Sequence, residues 1–209
     1  MINPYINMTD YFSYETKFHA KFNIAIVPIE CNYNAFLEQF KTLGQTIDAI
    51  PYILDNKDFD SICDSFHIAN FPLRIAVPFK HPLKKKERLS YSDLENETII
   101  TLNGDLNSHY QNAMQEITEH TSNVNFQPVN FFDFDLFDYA IKNNHLILVG
   151  DYLKNVHPSL SLLPIDWNCT IPYGLYYSKT PSPPVSKCID SFSEIKLNNS
   201  NGNVFLFEF

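Results

Sequence analysis

The chain has 209 residues, a hydrophobic content of 44% and a charged content of 19%, which are ordinary values for a globular protein with a proper core. Its formal net charge of −9 argues against binding nucleic acid through a basic stripe, because the one basic cluster, Lys84-Lys85-Lys86-Glu87-Arg88, is typical of a solvated loop. The sequence contains no apolar run long enough to span a membrane and no secretion signal at Met1-Ile2-Asn3-Pro4, so we expect a cytoplasmic protein.

The first part of the chain alternates between helix and strand patterns. Thr9 and Asp10 are good N-cap residues for the first helix. Gly44 follows a second helical pattern directly, the position at which glycine commonly ends a helix. The predicted elements are a helix from Thr9 to Ala20, a strand from Phe22 to Glu30, a helix from Asn34 to Leu43 and a strand from Thr46 to Ile50.

A buried-strand pattern in the middle of the chain stops at two prolines. Phe71 to Leu83 reads Phe-Pro-Leu-Arg-Ile-Ala-Val-Pro-Phe-Lys-His-Pro-Leu. Pro78 and Pro82 each bar the preceding residue from a helix and remove a donor from the strand ladder. A short turn at Asp93-Leu94 follows, and the apolar pair Ile99-Ile100 begins a new strand.

The rest of the chain continues the alternation, which implies parallel sheets with right-handed crossovers. Asn103-Gly104-Asp105 offers a tight turn and then a helix N-terminus with free backbone donors. The predicted elements are a strand from Ile99 to Leu102, helices from Leu106 to Glu119 and from Phe134 to Ile141, a strand from Leu146 to Val149, return segments from Pro164 to Trp167 and from Ile171 to Tyr177, and a closing helix from Pro183 to Ile195.

The order of these elements, with the Val-Pro-x-x-His-Pro-Leu segment from Val77 to Leu83, resembles the effector-binding domain of the LysR-type transcriptional regulators. The resemblance covers most of the chain. It implies an α/β fold of two lobes, like that of the type 2 periplasmic binding proteins, with two crossover strands. It assigns residues 1–78 and 168–209 to lobe I and residues 79–167 to lobe II, with a ligand cleft between them.

The chain departs from the family pattern in two ways. Asn143-Asn144-His145 stands where the family usually has two glycines, and the turn should survive because Asn tolerates positive φ. At the chain ends, the family's first strand is missing before Thr9, while Asn198 to Asn203 reads as a flexible linker and Val204 to Phe209 as a strand. This tail is either a frayed end or a replacement for the missing strand.

The sequence offers no catalytic motif: it has no Gly-x-Ser-x-Gly elbow, no phosphate-binding glycine loop and no His-Glu-x-x-His. Asp133, Asp135 and Asp138 could form a metal or acid–base site, but a helix start capped by Asp133 or Asp135 is favoured. We therefore expect no enzymatic activity, no cofactor and no zinc site. Buried, reduced thiols are favoured for the four cysteines, Cys31, Cys63, Cys169 and Cys188.

The resemblance implies an effector site where strand ends and helix starts line the cleft. Family members that sense carboxylates tend to place hydroxyl and basic groups there. This chain has Asp105, Asp133 and Asp151 instead, which favours a cationic or amino-bearing effector. The implied effector-binding residues are Thr9, Thr101, Asn103, Asp105, Phe132, Asp133, Val149, Gly150 and Asp151.

The resemblance further implies that the chain senses a small molecule and modulates transcription by shifting the population of lobe or dimer arrangements. DNA would be bound only through a winged helix-turn-helix domain, whose pattern this sequence lacks. The family's antiparallel homodimer would bring Thr9–Ala20 of one subunit against Leu106–Glu119 of the other. The alternative is a stand-alone solute-binding protein of the same two-lobe architecture.

Overall fold

The structure is a computed structural model that describes residues 25, 27 and 32–200, with side chains up to residue 192. Its helices are α1 (Tyr33–Lys41), α2 (Lys57–Asp60), α3 (Ser108–His120), α4 (Phe134–Asn143) and α5 (Pro183–Ser200). Its strands are β1 (Ala49–Ile53), β2 (Cys63–Pro78), β3 (Thr98–Leu102), β4 (Asn125–Val129), β5 (Leu146–Gly150), β6 (Leu160–Leu163) and β7 (Thr170–Ser178). Short 3-10 turns occupy Pro82–Lys85, Tyr91–Leu94 and Asp151–Leu153.

Strand β2 is shared by the two lobes. From Cys63 to Pro72 it pairs antiparallel with β7, which in turn pairs with β1; these strands form the sheet of the first lobe. From Leu73 onward β2 pairs antiparallel with β5 and, along its other edge, with β6. Strand β3 lies between β5 and β4 and runs parallel to both. The pairing partner of β2 therefore changes between Pro72 and Leu73.

The connection that leads from the second lobe back to the first, between β6 and β7, passes beside Leu73 of β2. The indole Nε1 of Trp167 donates to the Leu73 carbonyl (3.0 Å), and the Leu73 N–H donates to the Cys169 carbonyl (2.9 Å). Both passages between the lobes are thus hydrogen-bonded to each other at one residue. This arrangement is the two-lobe α/β fold with two crossover strands that the sequence predicted.

Most predicted elements are present, with shifted bounds. The strand expected at Thr46–Ile50 begins only at Ala49, because the Gly44 N–H donates to the Ile47 carbonyl (2.8 Å) and closes a turn in which Gly44 has φ +88°. The expectation of parallel sheets holds only for β3 with its two neighbours. The other described strand pairs are antiparallel, since β2 and β7 run in opposite directions between the lobes.

The Asn-rich turn that replaces two family glycines is confirmed. Asn144 ends α4 in the left-handed conformation, with φ 59° and ψ 32°. The following residue, His145, donates its backbone N–H to the Ala140 carbonyl at 2.9 Å. Asn144 therefore meets the conformational demand that glycine meets in the family pattern.

Several predictions fall at the chain ends. Of the strand expected at Phe22–Glu30, only Ala25 and Val27 are described, and neither lies in a strand. The helix expected at Thr9–Ala20 and the strand-like tail at Val204–Phe209 lie outside the described residues.

Candidate functional site

The two lobes meet at what we call the interlobe junction, formed by residues 54–57 after β1 and residues 106–109 at the start of α3. The Asn107 side-chain amide donates to the carbonyls of Leu54 (2.9 Å) and Asp55 (3.3 Å). Its Oδ1 accepts the His109 N–H at 3.1 Å and so caps α3. Lys57 N–H donates to the Leu106 carbonyl at 3.1 Å. Asn107 is 1% exposed, so one buried side chain both starts a helix of one lobe and holds the other lobe.

An ion pair closes the outer side of the interlobe junction. His109 Nε2 lies 2.8 Å from Asp55 Oδ2. Asp55 has a positive φ of 58°, which its short polar side chain tolerates. Because both side chains are substantially exposed, this pair adds little stability, and the buried amide of Asn107 is the stronger link.

Beneath the junction lies a group of tyrosines that we call the phenol cluster: Tyr52, Tyr110, Tyr152 and Tyr173. Tyr110 follows Asn107 by three residues and so shares its face of α3. The Tyr110 hydroxyl is completely buried and makes no hydrogen bond of normal geometry to any described group. Such an unpartnered hydroxyl costs about 1–3 kcal/mol.

Burial is the main influence on these phenols. It raises the pKa of Tyr110, and interactions with the Tyr152 side chain and the Gly150 backbone oppose that rise without cancelling it. Burial also raises the pKa of Tyr52, and the charge of neighbouring Tyr110 adds to the effect. For Tyr173, burial alone raises the pKa. All three are therefore neutral phenols, able to donate one hydrogen bond each.

Aromatic rings from both lobes surround the phenol cluster. The ring centroids of Tyr152 and Tyr173 are 4.6 Å apart, and Phe71 lies 5.7 Å from each. On the second lobe, Phe132 lies 6.4 Å from Tyr110 and Phe131 lies 6.5 Å from Tyr52. The site is thus a set of hydroxyl groups within aromatic walls, the composition typical of a small-molecule site.

Gly150, predicted from the sequence to approach a ligand, adjoins this cluster. A Cβ atom on Gly150 would lie 2.3 Å from the Tyr152 ring and 3.2 Å from Ile171. Only glycine therefore lets Tyr152 pack back over the end of β5. Phe132, another predicted residue, also adjoins the cluster through Tyr110.

The other predicted site residues have local roles in the structure. Thr101 and Val149 are fully buried within β3 and β5. Asn103 Oδ1 accepts the Asp105 N–H at 3.0 Å and so forms the predicted turn, but α3 begins later, at Ser108, because Asn107 is its cap. Thr9 lies outside the described residues.

The three carboxylates predicted to favour a cationic effector differ in their surroundings. Asp133 caps α4 by accepting the Leu136 N–H at 2.8 Å, as the helix-start interpretation predicted. Asp151 lies 3.6 Å from Arg74, and Asp105 is exposed. Two of the three therefore already have partners, and the cationic effector stays a prediction.

In the described part of the chain, no group of three or more His, Cys, Asp or Glu side chains could hold a metal ion. None of the helices in that part is long and apolar enough to cross a membrane. Among the described cysteines, Cys63 is buried, whereas Cys169 and Cys188 are only partly so, which corrects the expectation of burial for these two.

The residues that the sequence analysis missed are Asn107 and the phenol cluster. Asn107 had a usable signal, since an Asn directly before a helical run is a strong N-cap candidate. Tyr110, Ala113 and Ile117 have the spacing of a buried helix face, but nothing in that spacing predicts an unpartnered hydroxyl.

The comparisons with known proteins establish the fold. Neither a protein-family model nor a curated protein sequence matches the chain. Among solved structures it is similar to the CcmR regulatory domain of Synechocystis in complex with 2-PG, at 14% identity and a TM-score of 0.59, over 92% of this chain and 94% of that one. It is also similar to the oxidized form of OxyR, at 16% identity and a TM-score of 0.57, over 91% and 89% of the two chains.

A third similar structure is the BenM effector-binding domain with its effector benzoate, at 18% identity and a TM-score of 0.56, over 92% of this chain and 87% of that one. The chain accordingly has the two-lobe fold of the effector-binding domains of LysR-type regulators, and the resemblance predicted from the sequence is confirmed at the level of the fold.

Proposed function

We propose that this chain is the ligand-sensing, effector-binding domain of a LysR-type bacterial transcriptional regulator that acts in the cytoplasm. A small molecule binds in the cleft between lobe I (residues 1–78 and 168–209) and lobe II (residues 79–167) and modulates transcription through a DNA-binding domain of the parent protein. The fold supports this proposal, because a regulatory domain and an effector-binding domain each match the chain over 92% of its length. Both are described with a bound small molecule.

The observation that carries the proposal is the interlobe junction. Asn107 and the carbonyls of Leu54 and Asp55 belong to different lobes, and their hydrogen bonds fix one lobe arrangement. A ligand that binds beside these contacts and prefers a different arrangement shifts the population between the two. Phe132 and Gly150, both predicted effector-binding residues, adjoin the phenol cluster under the junction.

A hybrid regulator tests this function. The chain is fused behind the winged helix-turn-helix domain of a LysR-type regulator with a known operator, and compounds that raise the chain's melting temperature are tested for an effect on transcription. We expect at least one stabilising compound to change transcription. We expect Asn107→Ala to alter that response, and Asn143→Ala, which removes an exposed contact to the Tyr139 carbonyl within the second lobe, to leave it unchanged.

The solute-binding alternative gives a different result. A hybrid that binds its operator, but whose transcription is unaffected by every stabilising compound, contradicts the regulator and favours a protein that only carries its ligand. The non-enzymatic character of the chain is part of the same proposal, because the similar structures are described as regulatory or effector-binding domains.

We also propose a homodimer in which α3 packs against the Thr9–Ala20 segment of a second copy. The outer face of α3 is free for this, since Gln111, Asn112 and Gln115 are exposed while Tyr110 and Ala113 are buried. Asn112→Arg should shift the sedimentation coefficient from dimer to monomer at tens of micromolar protein. A dimer that persists in this variant, or a monomeric parent chain, contradicts this pairing.

A further inference from the structure

Tyr110 differs from Tyr176 in the hydrogen bonding of its buried hydroxyl. Tyr176 is equally buried, but its hydroxyl donates to Asp60 at 2.7 Å and accepts the Asn56 N–H at 3.4 Å. The Tyr110 hydroxyl has no such bonds within the described part of the chain. A buried hydroxyl without a partner costs folding stability. A function such as ligand binding would explain why this position carries a tyrosine and not a phenylalanine.

The neighbour that covers Tyr110 is itself a phenol. Tyr152 interacts with the Tyr110 side chain, and its ring packs on Tyr173 and Phe71. Tyr152 is only half-buried and sits on a short 3-10 turn, Asp151–Leu153, directly after β5. The space between Tyr110, Tyr173 and Phe71 therefore accepts an aromatic ring bearing one oxygen. In this structure the Tyr152 ring occupies that space, and it is partly exposed at the protein surface.

Two carboxylates that flank the phenol cluster in sequence are already paired. Asp55, three residues after Tyr52, pairs with His109, and Asp151, next to Tyr152, pairs with Arg74. A charged ligand buried among these neutral phenols would lose its hydration without gaining a free counter-charge. The site therefore favours an uncharged ligand.

We propose, on the basis of the proposed function, that the phenol cluster is the effector subsite and that it takes an uncharged aromatic ring bearing a hydroxyl or carbonyl oxygen. The ligand ring displaces the Tyr152 side chain, packs on Tyr173 and Phe71, and accepts a hydrogen bond from the Tyr110 hydroxyl. Displacement moves the turn Asp151–Leu153 and with it the Asp151 partner of Arg74. Without the effector, the Tyr152 side chain thus occupies the position that the ligand ring takes.

Four probes of similar size test the ligand class: phenol, cyclohexanol, benzylamine and benzoate. Binding is measured by calorimetry and by the shift in melting temperature, with the full chain and three variants. We expect phenol to bind, and to bind several-fold more tightly to Tyr152→Ala, because the competing side chain is gone. Tyr110→Phe should weaken phenol binding about tenfold, the equivalent of one hydrogen bond, without lowering the melting temperature.

Tyr176→Phe is the matched control. It removes an equally buried hydroxyl that does have partners, so it should lower the melting temperature and leave the affinity for phenol unchanged. Cyclohexanol, benzylamine and benzoate should each bind more weakly than phenol. Preferred binding of benzylamine or benzoate, an unchanged affinity in Tyr110→Phe, or no gain in Tyr152→Ala would each overturn the proposal.

The failure of this proposal is distinguishable from failure of the proposed function. If a charged compound controls the hybrid regulator while phenol does not bind, the ligand class is wrong and the regulator stands. If phenol binds as expected but no compound changes transcription in the hybrid, the subsite stands and the regulator is wrong.

Discussion

His81 Nδ1 accepts the Leu83 N–H at 3.2 Å, while Nε2 of the same ring lies 3.2 Å from a Glu97 carboxylate oxygen. Because Nδ1 is an acceptor, the proton of the neutral ring resides on Nε2 and is directed to Glu97. His81 comes just after β2 and Glu97 just before β3. This nearly buried imidazole therefore ties the end of the crossover strand to the first strand of the second-lobe core.

Replacing His81 should destabilise the fold. His81→Ala removes the partner of Glu97 and leaves the Leu83 N–H without its acceptor, which we expect to cost about 1–3 kcal/mol of unfolding free energy. The measurement is the urea midpoint at neutral pH. His67→Ala is the control, because the bond between His67 and Asn70 is exposed to solvent, and it should change stability by less than about 0.5 kcal/mol. Equal losses in both variants would contradict this role of His81.

Asn107→Ala should cost more than an ordinary helix cap. The substitution removes the cap of α3 and leaves the Leu54 and Asp55 carbonyls without a donor, so we expect a loss of about 2–4 kcal/mol. Asn103→Ala removes a comparable turn bond that does not cross between the lobes and should cost about 1 kcal/mol or less. Chemical denaturation compares the two, and similar midpoints would mean that the interlobe bonds contribute nothing.

Asp93 should contribute stability that disappears in acid. Burial tends to raise its pKa, but hydrogen bonds from Lys86 and from the backbone and hydroxyl of Ser90 outweigh burial and lower it below 3.8. The folded state therefore holds this proton less tightly than the unfolded state. The stabilisation is complete above that value and is lost as the pH falls through the lowered pKa.

The corresponding test compares the parent chain with Asp93→Asn across the pH range. The variant should be less stable by about 1 kcal/mol near neutrality, and the difference should shrink below about pH 4. The exposed Asp105 provides the control, since Asp105→Asn should give a small difference. If the difference in stability between the parent chain and Asp93→Asn grew in acid, the pKa of Asp93 would not be lowered in the folded state.

Cys63 should be a slow nucleophile. Burial raises the pKa of its thiol to about 11, against 9.0 for an ordinary thiol, and the Sγ atom donates to the Phe40 carbonyl at 3.4 Å. At pH 8 its alkylation by iodoacetamide should therefore be about 100-fold slower than in the urea-unfolded chain. Burial also raises the pKa of Cys169, which should react slowly too. Peptide mass spectrometry follows each site, and equal rates in folded and unfolded chains would refute the prediction.

Asn144 should be replaceable by glycine but not by alanine. Its left-handed conformation suits glycine, so Asn144→Gly should keep stability within about 0.5 kcal/mol. Asn144→Ala should cost about 1 kcal/mol, because a Cβ is strained at this φ. Asn143→Ala removes an exposed side-chain bond to the Tyr139 carbonyl and controls for the loss of an amide. Thermal unfolding ranks the three, and an alanine variant as stable as the glycine variant would contradict the strain argument.

The sequence predicted the elements whose signals are local. The α4 helix starts at its Asp133 cap, and β5 is a short apolar run after an Asn turn, so both could be placed within two residues. The first half of β2, Cys63 to Asn70, was missed because its residues after Cys63 are polar or partly exposed. Strand β4 contains Pro128 at the sheet edge, which disguises it as a loop.

The site was less predictable than the fold. The turn at Asn103 and the cap at Asp133 depend on neighbours within three residues, and both were predicted. The phenol cluster depends on residues from β1, α3 and β7 that are brought together only by the tertiary fold. No local pattern distinguishes Tyr110, which lacks a hydrogen bond, from Tyr176, which has two.

Because the two lobes share strand β2, their sheets are completed in a fixed order during translation. Strand β1 and the first ten residues of β2, from Cys63 to Pro72, find their described partner in β7, which ends at Ser178. The ribosome makes β7 last among the strands described, whereas the strands of the second-lobe sheet are complete by Leu163. The lobe that is begun first is therefore finished second, and until β7 emerges the nascent chain carries unpaired strand edges that other chains could join.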